Sequence, residues 1–400
     1  METAPSPRIS TLQTRLHRFM QTVLLPQESR LNAALRTAAV QSGQDVQDLL
    51  APLRQKAQLA GLWNLFLPTS TRTTQGLSHW EYAPMIEAMG RIAWAAEVFN
   101  SAQPDAGNMQ LLDSYASEPL KDVWLDPLLR AQTRSAWAAA EPDADLHHPD
   151  SLQTLAHRDG EHWVLSGRKT WVQGMLDPRT ACLLVLCRTQ TQAPLHQQFS
   201  VLLVARRSDG VHIGRQLHGW AEGSSALTEV VFDAVRVPAQ HLLGQPGQGL
   251  EMLQARQRIV GLHEALWCLG AAERALELMV ARLQTRRNGD RLAVHHPVWQ
   301  QRIAQARTRL DTTRMLARRI AWQLDQSDGD LPPQELAMLQ SLALPLAQQV
   351  VQWSVLAHQA DALGDDLPLA ALSARLRLLQ QLAPPVEALH AQIAQGELLR

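Results

Sequence analysis

Several stretches of this 400-residue sequence gather side chains able to do chemistry. His147-His148 stands beside Asp145 and Asp150, and His295-His296 makes a second pair. Imidazoles and carboxylates are common zinc ligands, but adjacent residues on an extended segment point to opposite faces, which suits neither a closed tetrahedral site nor an open catalytic one. Both pairs read as loop histidines, and no metal is expected. Ser224-Ser225 with His218 and Glu222 supplies the residue types of a nucleophile and its base, yet lacks the strand-turn-helix elbow that presents a reactive serine. Gly244-Gln-Pro-Gly-Gln-Gly249 is glycine-rich like a phosphate loop, but it has no Lys-Ser/Thr ending and follows no parallel-sheet pattern. Cys182, Cys187 and Cys268 have neither ligand spacing nor the density of a disulfide scaffold, which fits buried thiols in a reducing compartment.

The elements that position such residues follow from hydrophobic period. From about Thr11 to Leu129 the pattern is helical, as in Val46, Leu49, Leu50, Leu53 and Ala57, whose steps of three and four make one apolar stripe. The period changes where His157-Arg-Asp-Gly160 precedes Trp163-Val-Leu165, because an Asp-Gly step between extended runs signals a hairpin. Short apolar runs at Cys182 to Cys187, Phe199 to Val204 and Thr228 to Phe232 continue as strands. Helical spacing resumes after Gly249, as in Ala272, Leu276, Met279 and Leu283. The expected organisation is a helical domain over 1–133, a β-domain over 134–238 and a helical bundle over 239–400.

Composition narrows the function classes. Hydrophobic residues make up 46% of the chain, enough for more than one core. A net charge of -1, with both signs interspersed, leaves no positive field to collect nucleic acid. No apolar run approaches the roughly 18 residues needed to span a bilayer, and the first ten residues lack a signal-like basic and apolar stretch, so a cytoplasmic protein is the expectation.

The loop wording adds a resemblance. Gly61-Leu-Trp-Asn-Leu-Phe-Leu-Pro68, Glu81-Tyr-Ala-Pro84, Glu97-Val-Phe-Asn100, Gly107-Asn-Met109, Ser166-Gly-Arg-Lys169, Phe232-Asp-Ala-Val-Arg-Val-Pro238 and Gly270-Ala-Ala-Glu-Arg-Ala-Leu-Glu277 closely resemble segments of acyl-CoA dehydrogenases, on the large-substrate branch. The likeness runs from about Arg18 to Ala394. It implies a mainly α fold with a middle β-barrel-like domain and a C-terminal four-helix bundle. It also implies FAD, an acyl-CoA thioester bound between the domains, and assembly as homo- or hetero-oligomers of family members. In that family a carboxylate removes the α-proton while the β-hydrogen leaves as hydride to the flavin.

At the positions that would carry this reaction the sequence departs from the family. The usual carboxylate-glycine before the last helix falls on Ala383 and Pro384, and the alternative base position on an earlier helix falls on Val260. Glu387 and Glu264 lie one turn from these and read as solvated or capping carboxylates. Of the flavin positions, Arg286 is retained, as the pyrophosphate contact, but it is followed by Gly289 where an aromatic is usual. Ala140 replaces a threonine, Val172 stands at the threonine position of the strand Thr170 to Gly174, and Gln359 and Ala360 replace glycines beside His358, with Asp361 adding like charge near a pyrophosphate. Trp220 and Trp267 are large enough to fill space that a substrate chain or flavin ring vacates. Two readings follow: an FAD-dependent α,β-desaturase with a remodelled site, or a non-catalytic pseudoenzyme subunit that pairs with an active dehydrogenase.

Overall fold

The computed structural model describes residues 6–41, 43–70, 72–73, 75–144, 146, 148–217, 227–327 and 329–399. Asp145, His147, His218, Trp220, Glu222, Ser224 and Ser225, named above, lie outside the described residues.

The chain opens with α1 (Pro7–Phe19), which starts where the Ser6 hydroxyl accepts the Ile9 amide, and buries Ile9, Leu12, Leu16 and Phe19 at helical steps. There follow α2 (Glu28–Gln41), α3 (Gly43–Leu59), α4 (His79–Met89), the short α5 (Ala95–Val98), α6 (Asp105–Tyr115), and two single turns, α7 (Glu118–Leu120) and α8 (Asp126–Leu129). A reciprocal capping box between Ser78 and Glu81 fixes the start of α4. The stripe expected on α3 packs inward: Val46, Leu50, Leu53 and Ala57 are buried, and Leu49 is half-buried against the same core.

The middle of the chain is a mixed sheet of β1 (Arg134–Ala138), β2 (Leu155–Asp159), β3 (His162–Gln173), β4 (Thr180–Arg188), β5 (Phe199–Ala205), β6 (Val211–Leu217), β7 (Leu227–Pro238) and β8 (Leu242–Leu243). The strand order is β6-β7-β3-β1-β4-β5-β8, with β2 bridging β3 and β4. The Asp-Gly hairpin joins β2 to β3 with Asp159 opposite His162, and Gly160 takes φ +54. β1 pairs in parallel with β4 and was not legible in advance, because Arg134-Ser-Ala-Trp-Ala138 holds no β-branched residue. A buried ion pair, Lys169 Nζ to Glu141 Oε1 at 2.8 Å, ties β3 to the segment after β1, and Lys169 also donates to the Ala139 carbonyl.

The remainder is helical apart from the small hairpin of β9 (Arg287–Asn288) and β10 (Arg291–Leu292). The Gly244 to Gln248 loop leads into α9 (Gly249–Thr285); α10 (Pro297–Gln326), α11 (Pro333–His358), α12 (Leu369–Leu382) and α13 (Val386–Leu398) follow. Helices α9, α10 and α11 pack mutually, α12 and α13 lie against α11, and α4 from the first helical domain crosses α9 and α10. Two glycines permit that crossing: a Cβ on Gly270 would stand 1.9 Å from the Glu87 carbonyl oxygen, and one on Gly90 would stand 2.3 Å from that of Trp267. His296 is the N-cap of α10, its Nδ1 accepting the Val298 amide. All three cysteines are buried and free. No helix among the described residues is long and apolar enough to cross a membrane.

Candidate functional site

A cavity of about 590 Å³ opens where α4 and the loop after it face α9 and α12. Its apolar wall comes from all three layers of helix: Leu35, Val46 and Leu50 from α2 and α3, Ile86 and Met89 from α4, and Leu378 and Leu379 from α12. Trp267 stands in this wall. Polar groups enter as Gln103, Gln173, His263, Glu97, Glu264, Asp365 and Arg375. An apolar cavity with a few convergent polar groups is the usual form of a small-molecule site.

Each charged group has a distinct environment. Glu97 is tied to Arg134 at 2.6 Å and to Arg54 at 3.2 Å, and Arg134 also pairs with Asp105 on α6. Burial pushes the Glu97 carboxyl up, but the guanidiniums of Arg134, Arg54 and Arg179 more than reverse this and leave it at about 2. Glu97 is therefore a fixed anion that braces the helical domain against β1. His263 is neutral, pulled down to about 3 by burial and then by the neighbouring His79, and its ring meets Tyr82 edge-on at 5.7 Å. Glu264 differs from both: burial raises its pKa, Arg375 and Arg256 pull it back, and no hydrogen bond or ion pair to it is found among the described residues.

The position of Glu264 corrects the expectation of a solvated or capping carboxylate. Its side chain lines the main cavity and also a second pocket of about 460 Å³, which contains Ala383, Pro384 and Glu387. A 37-residue helix is not restricted to placing polar residues on its outer face; the stretch Gly261 to Ala272 of α9 is surrounded by α4, α11 and α12, so position 264 opens inward. Glu387 is exposed, in the first turn of α13. Ala383 caps the end of α12 and borders the second pocket, whereas Val260 packs toward Gly107 on α6. Neither side chain accepts a proton.

The positions that hold flavin in the resembled family are spread along the β-domain and the ends of α9 and α11. Val172 is fully buried and packs in the β-domain core, whereas Gln173 lines the cavity and Trp171 is exposed with φ +53. Thr170 is buried, and its amide donates to the Ala140 carbonyl. Arg286 donates through Nη1 to the Ala357 carbonyl at 3.1 Å, which links the end of α9 to the end of α11. Beyond it, Gln359 keeps a glycine-like backbone at φ +58 and ψ −134 while carrying a full side chain, a strain of about 1–3 kcal/mol. Gln359 and Ala360 are exposed. The repulsion expected of Asp361 is offset, since Arg282 lies 3.3 Å from its carboxylate. Gly289 is the tip of the β9–β10 turn, with open space around it.

Two cavity residues escaped sequence reasoning. Arg375 falls between Leu372, Leu376 and Leu379, the buried stripe of α12, and a cation on an apolar stripe was the available signal. Glu97 carried no such signal, because its partners Arg54 and Arg134 are distant in sequence.

Comparison with known proteins agrees with this architecture. Residues 136–235 match the model of the acyl-CoA dehydrogenase middle domain, and residues 247–398 that of the acyl-CoA dehydrogenase C-terminal domain. The chain is 36% identical over 403 residues to a Mycobacterium tuberculosis protein described as an acyl-CoA dehydrogenase, covering 100% of this chain and 98% of that one. It is 32% identical to mouse acyl-CoA dehydrogenase family member 10 over 98% of its length, but spans only 37% of that longer protein. A solved structure from Mycobacterium abscessus, likewise described as an acyl-CoA dehydrogenase, is similar at a TM-score of 0.92 and 32% identity, with 99% of each chain covered.

Proposed function

The chain belongs to the acyl-CoA dehydrogenase family, and from that premise we propose that it is a member that keeps the family's acyl cavity without carrying out FAD-dependent α,β-desaturation on its own. The observation that carries this reading is the state of the cofactor positions. Val172 is turned into the β-core, Ala140 offers no hydroxyl, and Gln359 and Ala360 put side chains where close backbone approach is needed. These residues do not fit FAD held through the family's contacts. Each absent hydrogen bond to a desolvated ligand group costs about 1–3 kcal/mol, and each 1.4 kcal/mol is about tenfold in Kd. Arg286 alone does not restore them.

The proton side of the reaction supports the same reading. Ala383 and Val260 cannot accept a proton, and abstraction by any other group leaves an enolate with no hydride acceptor to drain it. Pairing with an active family member fits the apolar residues left exposed at the bundle surface, Met315 and Trp322 on α10 and Leu356 and Leu363 around the end of α11. Divisions near residues 133 and 238 are proposed as the domain boundaries.

One observation favours a second reading, in which the chain is an active dehydrogenase. Glu264 faces the cavity with no hydrogen-bond partner among the described residues and with a raised pKa, the condition of a general base awaiting substrate. The visible spectrum of the purified chain separates the two. The first reading expects a colourless protein that acyl-CoA does not alter, and a yellow complex only on co-expression with a family member that has its carboxylate and glycines. One FAD per subunit in the chain alone, bleached by acyl-CoA and unbleached in Glu264→Gln, would establish the second.

A further inference from the structure

Arg375 is a charged group of the cavity whose chemistry nothing above accounts for. It projects from the apolar stripe of α12 into the cavity, and its guanidinium makes no hydrogen bond and no ion pair among the described residues. Glu97, which shares the lining, is held by Arg54 and Arg134, and no ion pair between Glu264 and Arg375 is found among the described residues. Burial drags the Arg375 pKa down, with Glu264 and then Glu97 only partly opposing it. A guanidinium stays charged even so, and Arg375 is half-buried, with donors that open onto the cavity and that an anionic ligand would complete.

We propose that the cavity binds a free aliphatic carboxylic acid, its carboxylate bidentate on Arg375 and its chain along the apolar wall of Leu35, Ile86, Met89, Trp267 and Leu378. The planar fork of arginine matches the two oxygens of a carboxylate, whereas a thioester offers one weakly accepting, uncharged oxygen and leaves the cation uncompensated. Glu264 lies in the same lining, and burial raises its pKa, which lessens its repulsion of an anionic ligand. A volume of about 590 Å³ lies in the range of sites that enclose small amphiphiles. This inference rests on reading the cavity as an acyl site and names what occupies it.

The test uses decanoate, decanol and decanoyl-CoA on the full chain, read by intrinsic fluorescence, since Trp94 and Trp267 stand in the cavity wall. Decanoate is expected to bind saturably and about tenfold to a hundredfold more tightly than decanol. Arg375→Met should reduce that preference to about twofold or less, chiefly through a loss of decanoate affinity. If the variant fails to fold, the ratio measured on the wild-type chain decides. Decanol binding as tightly as decanoate, or a preference that survives in Arg375→Met, overturns the proposal. Decanoyl-CoA binding without decanoate binding overturns it and leaves the acyl-site reading standing; binding of none of the three removes both.

Discussion

Gly270→Ala tests how the cavity is framed. The methyl group would sit 1.9 Å from the Glu87 carbonyl oxygen, where ordinary contact begins near 3.4 Å, so α4 and α9 must part by the difference, about 1.5 Å. The obstacle is backbone, which cannot swing aside as a flexible side chain would, and Gly90 on the facing helix is itself within 3.0 Å. Overpacking of this kind costs about 1–3 kcal/mol, and the upper end applies here, so Tm should fall by roughly 6 °C at about 2 °C per kcal/mol for a chain of this size. Since α4 supplies Ile86 and Met89 and α9 supplies His263, Glu264 and Trp267, the same displacement should weaken ligand binding in the cavity. Gly364→Ala is the control: its φ is −81 and its nearest neighbour would be at 3.6 Å, so stability should change by about 0.5 kcal/mol or less. Calorimetric unfolding of the two variants beside the wild type measures both. A Gly270→Ala protein that melts within about 1 °C of wild type would refute the close helix crossing.

Two further outcomes are expected. Glu97 has a folded pKa of about 2 against an ordinary 4.5, so its ionised form stabilises the fold above about pH 4.5, and that contribution, roughly 3 kcal/mol, is lost as pH falls toward 2. Glu97→Gln should be less stable at pH 7 and show a flatter decline between those limits in denaturant titrations; parallel declines would show that Glu97 does not carry the acid sensitivity. Ala383→Glu should reduce no acceptor dye with acyl-CoA, even with FAD added, and dye reduction that depends on acyl-CoA would mean that a competent flavin site exists.

The helix-strand-helix order was set by patterns that any short window of the sequence contains. Apolar steps of three and four on α3 and α9, and the Asp-Gly step between β2 and β3, specify their elements locally, and the structure keeps them. β1 was hidden because it is held by pairing with β3 and β4, not by the propensity of its own residues. At the site the tertiary structure decided more. Glu264 and Glu387 look equivalent in sequence, each one turn from a base position that has lost its carboxylate. α9 is enclosed on several sides by other helices, so Glu264 opens into the cavity, whereas α13 begins at the surface and Glu387 remains in solvent. Asp361 looked like a repulsive charge until Arg282, 79 residues away, was found beside it. Electrostatic environment depends on distances through space, and sequence separation carries almost none of that information once the chain has folded.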